Sequence, residues 1–216
     1  MLVTIQKQIP IEKGFEAIRN AALENAGDEK IYFYREADLR LVDFVPEELS
    51  PVSLYLLEKN LEVQRELYHI FLEEYGIDTL HLQEILHLAT DNGTVAMIPP
   101  YVEISEEVVR LVAKDGDREP DDSAKIKVAI PIIPDGLHRA YLAQQMGTTL
   151  TCIVASGIDT LAYPYASYPV SWSRVKVYQE VPKVKKFYRR QDPYTFMRPL
   201  DALRLLEPVK VEYGRK

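Results

Sequence analysis

One short stretch constrains this chain more than any other. Asp135-Gly136-Leu137-His138-Arg139 lies between two apolar runs. Before it, KIKVAIPII (125–133) has the composition of a buried strand. DGLHRAYLAQQMG (135–147) reads as a tight turn entering a helix, with Gly147 as its stop, and TLTCIVASG (149–157) reads as another buried strand. The predicted order is therefore strand, turn, helix, strand. A helix start presents unpaired N–H groups and the positive end of the helix dipole. Gly136 lets a ligand approach the backbone closely, and His138 and Arg139 add donors, with arginine able to fork onto two oxygens. Such a turn suits an anion, most naturally a phosphate. A plainer reading also stands: Asp135 caps the helix and Arg139 pairs with one of the chain's many acids.

The rest of the chain supplies further elements. Residues 12–26 predict a helix on Phe15, Ile18, Ala22 and Leu23, with Gly27 as its stop. IYFYR (31–35) and LRLVDFV (39–45) predict strands. Residues 51–75 give the longest helical pattern, with Leu57, Leu61, Tyr68, Phe71 and Tyr75 on one stripe, Ser50 as N-cap and Gly76 as stop. A second helix is predicted from Leu80 to Ala89 because Leu82, Ile85, Leu86 and Ala89 follow helical spacing. TVAMIPPYVEIS (94–105) predicts a strand that lies at an edge or restarts after Pro99-Pro100, since proline cannot donate to a ladder. Residues 105–114 fit helix or strand, and 114–125 a polar loop. The tail, 158–216, is rich in Tyr and Pro.

Composition excludes several classes. With 216 residues, 47% of them hydrophobic and 27% charged, the chain is neither disordered nor a small disulfide scaffold. No run reaches the ~18–20 apolar residues of a membrane helix, and the start shows no signal-peptide pattern, so no membrane association is expected. The single cysteine, Cys152, excludes an internal disulfide and suits a reducing, cytoplasmic setting; inside its strand it reads as core filler. Charge is unevenly divided. Residues 170–216 hold 12 Lys and Arg against 5 Asp and Glu, while residues 1–169 hold 14 against 28. An acidic body repels a nucleic-acid backbone, but the basic tail could hold a polyanion or fold back on the body. Lys183, Lys185, Lys186, Arg189 and Arg190, with Phe187 and Tyr188, could stack on and neutralise a single strand, line a phosphate site, or form a solvated face.

Other spacings are weaker. His81, Glu84 and His87 suggest metal ligands, but on a helix the two histidines fall about 120° apart. Asp115, Asp117, Glu119 and Asp121 alternate like a calcium loop, yet Pro120 stands where glycine is needed and Ile126 where glutamate is needed. No metal site is expected. The glycine motifs of Walker and dinucleotide sites, and a nucleophile elbow, are absent.

DGLHRAYLAQQMGTTLTCIVASG resembles the signature turn of the ParB/sulfiredoxin superfamily, in which a short G-x-[HR]-R-type turn holds nucleotide phosphates. IPPYVEI looks like that family's Pro-rich strand, and LRLVDFVPEELSP like its first strand running into its first helix. The resemblance implies an α+β fold: a small mixed sheet packed with helices. It places a core at about 38–157 within one domain spanning 1–216, with an N-terminal extension, 1–37, and a basic Tyr/Pro-rich extension, 158–216. Sulfiredoxins carry cysteine where Leu137 stands, so their chemistry is not implied. No helix-turn-helix module follows residue 157. The turn is closest to the free-serine kinases of the superfamily. That implies a phosphotransferase acting on a small hydroxyl-bearing metabolite, with ATP or ADP and Mg²⁺. Gly136, Leu137, His138 and Arg139 would hold the phosphates; Asp135 would join them, orient Mg²⁺ or cap the helix. His138 and Asp135 also count as catalytic candidates, with Glu103 as the base that takes the hydroxyl proton; Glu47, Glu48 and Glu58 are alternatives for that base. The aromatic segment 163–172 would cover the site. Alternatives are a nucleic-acid-associated ParB-like nuclease or nucleotide-regulated clamp using the basic tail, and a non-catalytic ParB-like domain.

Overall fold

Pro99 and Pro100 divide the strands between two sheets. Proline has no N–H for a ladder, so pairing stops there and starts afresh. In the computed structural model, β1 (Val3–Pro10), β7 (Glu84–Thr90) and β8 (Gly93–Met97) form an antiparallel sheet in the order β1-β7-β8. After the prolines, β9 (Tyr101–Arg110) joins a second sheet with β4 (Asp38–Phe44), β5 (Ser50–Pro51), β10 (Lys125–Asp135) and β11 (Leu150–Ser156). Its order is β4-β11-β9-β10-β5. The β4–β11 and β9–β10 pairs are antiparallel, whereas β9–β11 and β5–β10 are parallel, so the sheet is mixed. Two small ladders complete the set: β2 (Leu23–Glu24) with β3 (Lys30–Ile31), and β6 (Tyr55–Leu57) with β12 (Lys176–Tyr178). The structure describes residues 3–21, 23–24, 30–91, 93–110, 125–158 and 169–183.

Among the described residues, three helices pack on these sheets: α1 (Ile11–Asn20), α2 (Glu58–Ile70) and α3 (Leu137–Met146). The α+β expectation holds. On one face of the five-stranded sheet, Ile11 and Ile18 of α1 meet Tyr34, Tyr101, Ile153 and Ala155. On the other, Leu137, Ala140 and Ala143 of α3 meet Val102, Cys152 and Val154. The alternation along β11 thus serves both faces, and the whole strand reads as apolar. Cys152 is fully buried, and burial pushes its thiol up to about 12, so it behaves as the core filler its strand position implies.

Two predicted helices differ from the structure, each for a tertiary reason. Residues 80–89 are not helical; β7 occupies 84–90, and its interior position in the three-stranded sheet buries Ile85 on one side and Leu86 and Leu88 on the other. A strand buried on both faces loses its polar alternation and can mimic helical spacing. The long helix of 51–75 begins only at Glu58, because 50–51 and 55–57 are held as strands by β10 and β12. It ends in a π turn, Phe71–Tyr75, stopped by Gly76 in the left-handed conformation. Of the strand predicted at 31–35, only Ile31 is paired, and 33–36 form a turn. The α1 helix ends at Asn20, short of 26. The open segment 105–114 continues as strand to Arg110. Gly27, the polar loop 114–124, the aromatic run 163–168 and the basic residues 185–190 lie outside the described residues.

The turn into α3 is fixed by one close approach. Gly136 has φ of 91°, and a Cβ there would lie 2.4 Å from the Cβ of Pro100. Gly136→Ala is expected to lower stability by about 2–4 kcal/mol, from the left-handed backbone and the overlap together. Urea denaturation of the two proteins checks this; an unchanged midpoint would show that Pro100 yields freely.

Candidate functional site

The β10 strand delivers Asp135 at its end, Gly136 turns the chain, and α3 starts at Leu137. Each residue of the turn has a distinct place. The Asp135 carboxylate accepts a hydrogen bond from the Gly136 N–H at 2.7 Å, so it ties the turn and removes that N–H from the ligand inventory. Leu137 is buried in the core and offers only its backbone to the site. His138 Nε2 accepts from the Leu57 N–H at 3.3 Å. Burial pushes the His138 pKa down, with Asp135 opposing the shift, and a neutral ring fits its role as acceptor. His138 therefore has only Nδ1–H left to donate. Its first effect is to dock the start of α2 beside the start of α3.

That docking creates a cleft of about 420 Å³ between two helix N-termini. Leu57, Asn60 and Gln64 line it from α2, Gly136, His138 and Arg139 from α3, and Ser53 and Tyr55 from the segment before α2. Neither helix has a side-chain cap at its start. Two helix dipoles and their first-turn N–H groups thus flank one space, a stronger anion field than either helix supplies alone. Arg139 adds a permanent cation. Its Nη1 is buried and has no hydrogen-bond partner among the described residues, and burial pushes its pKa down while Asp135 opposes. A shielded guanidinium nitrogen without an acceptor is costly unless an anion or water completes it.

The structure does not bring the candidate glutamates to this cleft. Glu103 faces the α1 side of the sheet, where its carboxylate accepts from the Tyr34 hydroxyl at 2.6 Å, and it is buried. Its neighbours on β11 in register, such as Ala155, belong to that same face. Burial pushes its pKa up to about 7, with the Tyr34 hydrogen bond opposing. Glu58 pairs with Arg65 at 3.0 Å, and Arg65 reaches Gln145 of α3. Glu47 and Glu48 are exposed in a short 3₁₀ turn, Pro46–Glu48. Among the described residues, Asp135 is the one carboxylate lining the cleft.

The sequence reading missed Ser53, Tyr55, Asn60 and Gln64. Asn60 and Gln64 are four apart on α2 and share a face, a usable signal once the helix start is placed correctly. Trp172 does not cover the cleft. Its indole N–H donates to the Pro46 carbonyl at 2.8 Å, and its ring packs 6.4 Å from that of Tyr141 on α3. His81 lies before β7, while Glu84 and His87 lie on it, so helical geometry does not relate them. His81 instead bonds Asp78 at 2.8 Å and Thr149 at 2.9 Å, clasping two loops. No group of three or more potential metal ligands occurs among the described residues.

A family model described as ParB CE domain matches residues 15–177. The chain belongs to the ParB CE domain family. Comparison with curated proteins and with solved structures gave no match. The ParB CE match contains α2, α3 and every residue of the cleft between them. Among the described residues no helix is long and apolar enough to cross a membrane.

Glu103 generates a pH prediction. In the folded chain it holds its proton to about pH 7, whereas the unfolded chain ionises near 4.5. Stability should therefore fall as pH rises across that window, by on the order of 3 kcal/mol, and level off above it. Glu103→Gln cannot ionise and should gain on the parent protein between pH 4.5 and 7. Denaturation midpoints measured across that range check the sign; a constant difference would mean the carboxyl titrates normally.

Proposed function

We propose that this ParB CE domain binds the phosphates of a nucleotide, ATP or ADP, in the cleft between the starts of α2 and α3, and acts as a phosphotransferase on a hydroxyl-bearing small molecule. The observation that carries the reading is the convergence of two helix starts without side-chain caps on Arg139, whose buried Nη1 lacks a partner among the described residues. A polyanion in the cleft would meet the uncapped first-turn N–H groups and lie beside the Arg139 charge. The cleft volume of 420 Å³ is in the range of small-ligand sites. Tyr55 and Asn60 supply hydroxyl and amide groups of the kind that orient a ribose or base, while the Ser53 hydroxyl donates to the Tyr55 carbonyl at 2.9 Å and shapes that wall.

Within this reading Asp135 replaces Glu103 as the base. It lines the cleft, and Glu103 does not. His138 positions the two helices and offers Nδ1–H to a phosphate oxygen. Mg²⁺ would neutralise phosphate charge, held chiefly by phosphate oxygens and water, as this ion prefers. Asp135 is the protein ligand available to it in the cleft. Phosphoryl transfer needs positioning and charge stabilisation more than covalent chemistry from the protein, and this donor set suits that demand.

The test is thermal-shift binding of ATP, ADP, CTP and GTP, with and without Mg²⁺. A nucleotide at a hundredfold excess over its Kd is expected to raise Tm by about 5 °C. Arg139→Ala and Arg139→Lys should weaken binding. Exposed Asn60→Asp, which adds a negative charge to the cleft without touching the core, should weaken it about tenfold. No shift with any nucleotide, or an undiminished shift in all three variants, would remove the reading.

A further inference from the structure

A second cleft, of about 350 Å³, adjoins the first across the side chains of Gln64, Asp135 and Arg139, which line both. Its character is different. Val63 and Leu67 line it from α2, Val95 and Met97 from β8, and Pro99 and Pro100 from the break between the sheets. Among the described residues, the charged side chains lining it are Asp135 and Arg139, both on the shared wall. The α2 helix thus presents Asn60 and Gln64 to the polar cleft and Val63 and Leu67 to the apolar one.

We infer that the apolar cleft seats the acceptor of the phosphoryl group, and that this acceptor is an alcohol with an aliphatic or aromatic body. The inference rests on the nucleotide reading above. A nucleoside has polar edges throughout and fits the hydroxyl and amide groups of the first cleft. The second cleft has the volume of a small-ligand site and removes an apolar body from water. An acceptor seated there puts its hydroxyl at the shared wall, beside Asp135 and Arg139 and toward a terminal phosphate. In the transfer, the acceptor oxygen forms a bond to the terminal phosphorus as the bond from that phosphorus to its bridging oxygen breaks. The electron pair leaves with the nucleotide shortened by one phosphate, ADP from ATP or AMP from ADP, and the acceptor proton passes to the Asp135 carboxylate.

The probe is para-fluorobenzyl alcohol, observed by fluorine NMR with the full chain, and ADP binding is followed separately by thermal shift. The parent protein is expected to broaden the fluorine line. Val63→Trp and Val95→Trp fill the cleft from positions that are 41% and 49% exposed, so they leave the core intact. Each should weaken the alcohol about tenfold while its ADP shift stays unchanged. An alcohol line unaffected by the parent protein, or broadened by both tryptophan variants as strongly as by the parent, overturns the acceptor assignment alone. If ADP gives no shift in the parent protein, the fault lies in the nucleotide reading, and the acceptor assignment falls with it.

Discussion

The fit of Gly136 against Pro100 sets most of what matters in this fold. Pro100 ends one sheet and leads into the other, and its carbonyl accepts from the Ile153 N–H at 2.7 Å. Gly136 rests against its ring with no room for a side chain. The start of α3 is therefore locked to the junction between the sheets and to the middle of β11. Because the helix cannot shift, Arg139 is held with Nη1 shielded from solvent. Rigid placement of this kind is what keeps a cation desolvated against its preference for water.

The turn was legible because its signals are local. A β-branched run, a glycine, a histidine and an arginine, and a helix closed by Gly147 follow one another within one segment, and each works through nearest neighbours. The restart after Pro99-Pro100 was legible for the same reason: a missing N–H is a property of the residue itself. What escaped was set by distant partners. Ser50–Pro51 and Tyr55–Leu57 are strands only because β10 and β12 lie beside them. The β7 strand hides its period because both of its faces are covered. The first of those errors concealed one lip of the cleft, since Tyr55 and Leu57 reach it from a strand and not from a helix face.

Glu103 illustrates the opposite risk. Its place on the strand beside the turn made it a reasonable base, and its raised pKa suits a proton acceptor. Alternation decided otherwise. Successive side chains on β9 leave on opposite faces, and Glu103 leaves toward Tyr34 and α1. Its chemistry is spent on holding the segment around Tyr34 to the sheet. Sequence proximity to a site is not access to it when a strand lies between them.

The β6–β12 ladder carries a last consequence, for the order in which the molecule is made. Tyr55 pairs with Lys176, and Leu57 with Tyr178. Tyr55 and Leu57 form one lip of the polar cleft. As the chain leaves the ribosome, the turn at 135–139 and all of α2 emerge well before β12 does. Closing so long a loop costs entropy and is slow compared with local helix formation. This lip of the cleft is thus among the last pieces to be set in place, and a nascent chain carries its Arg139 before it carries the finished cleft.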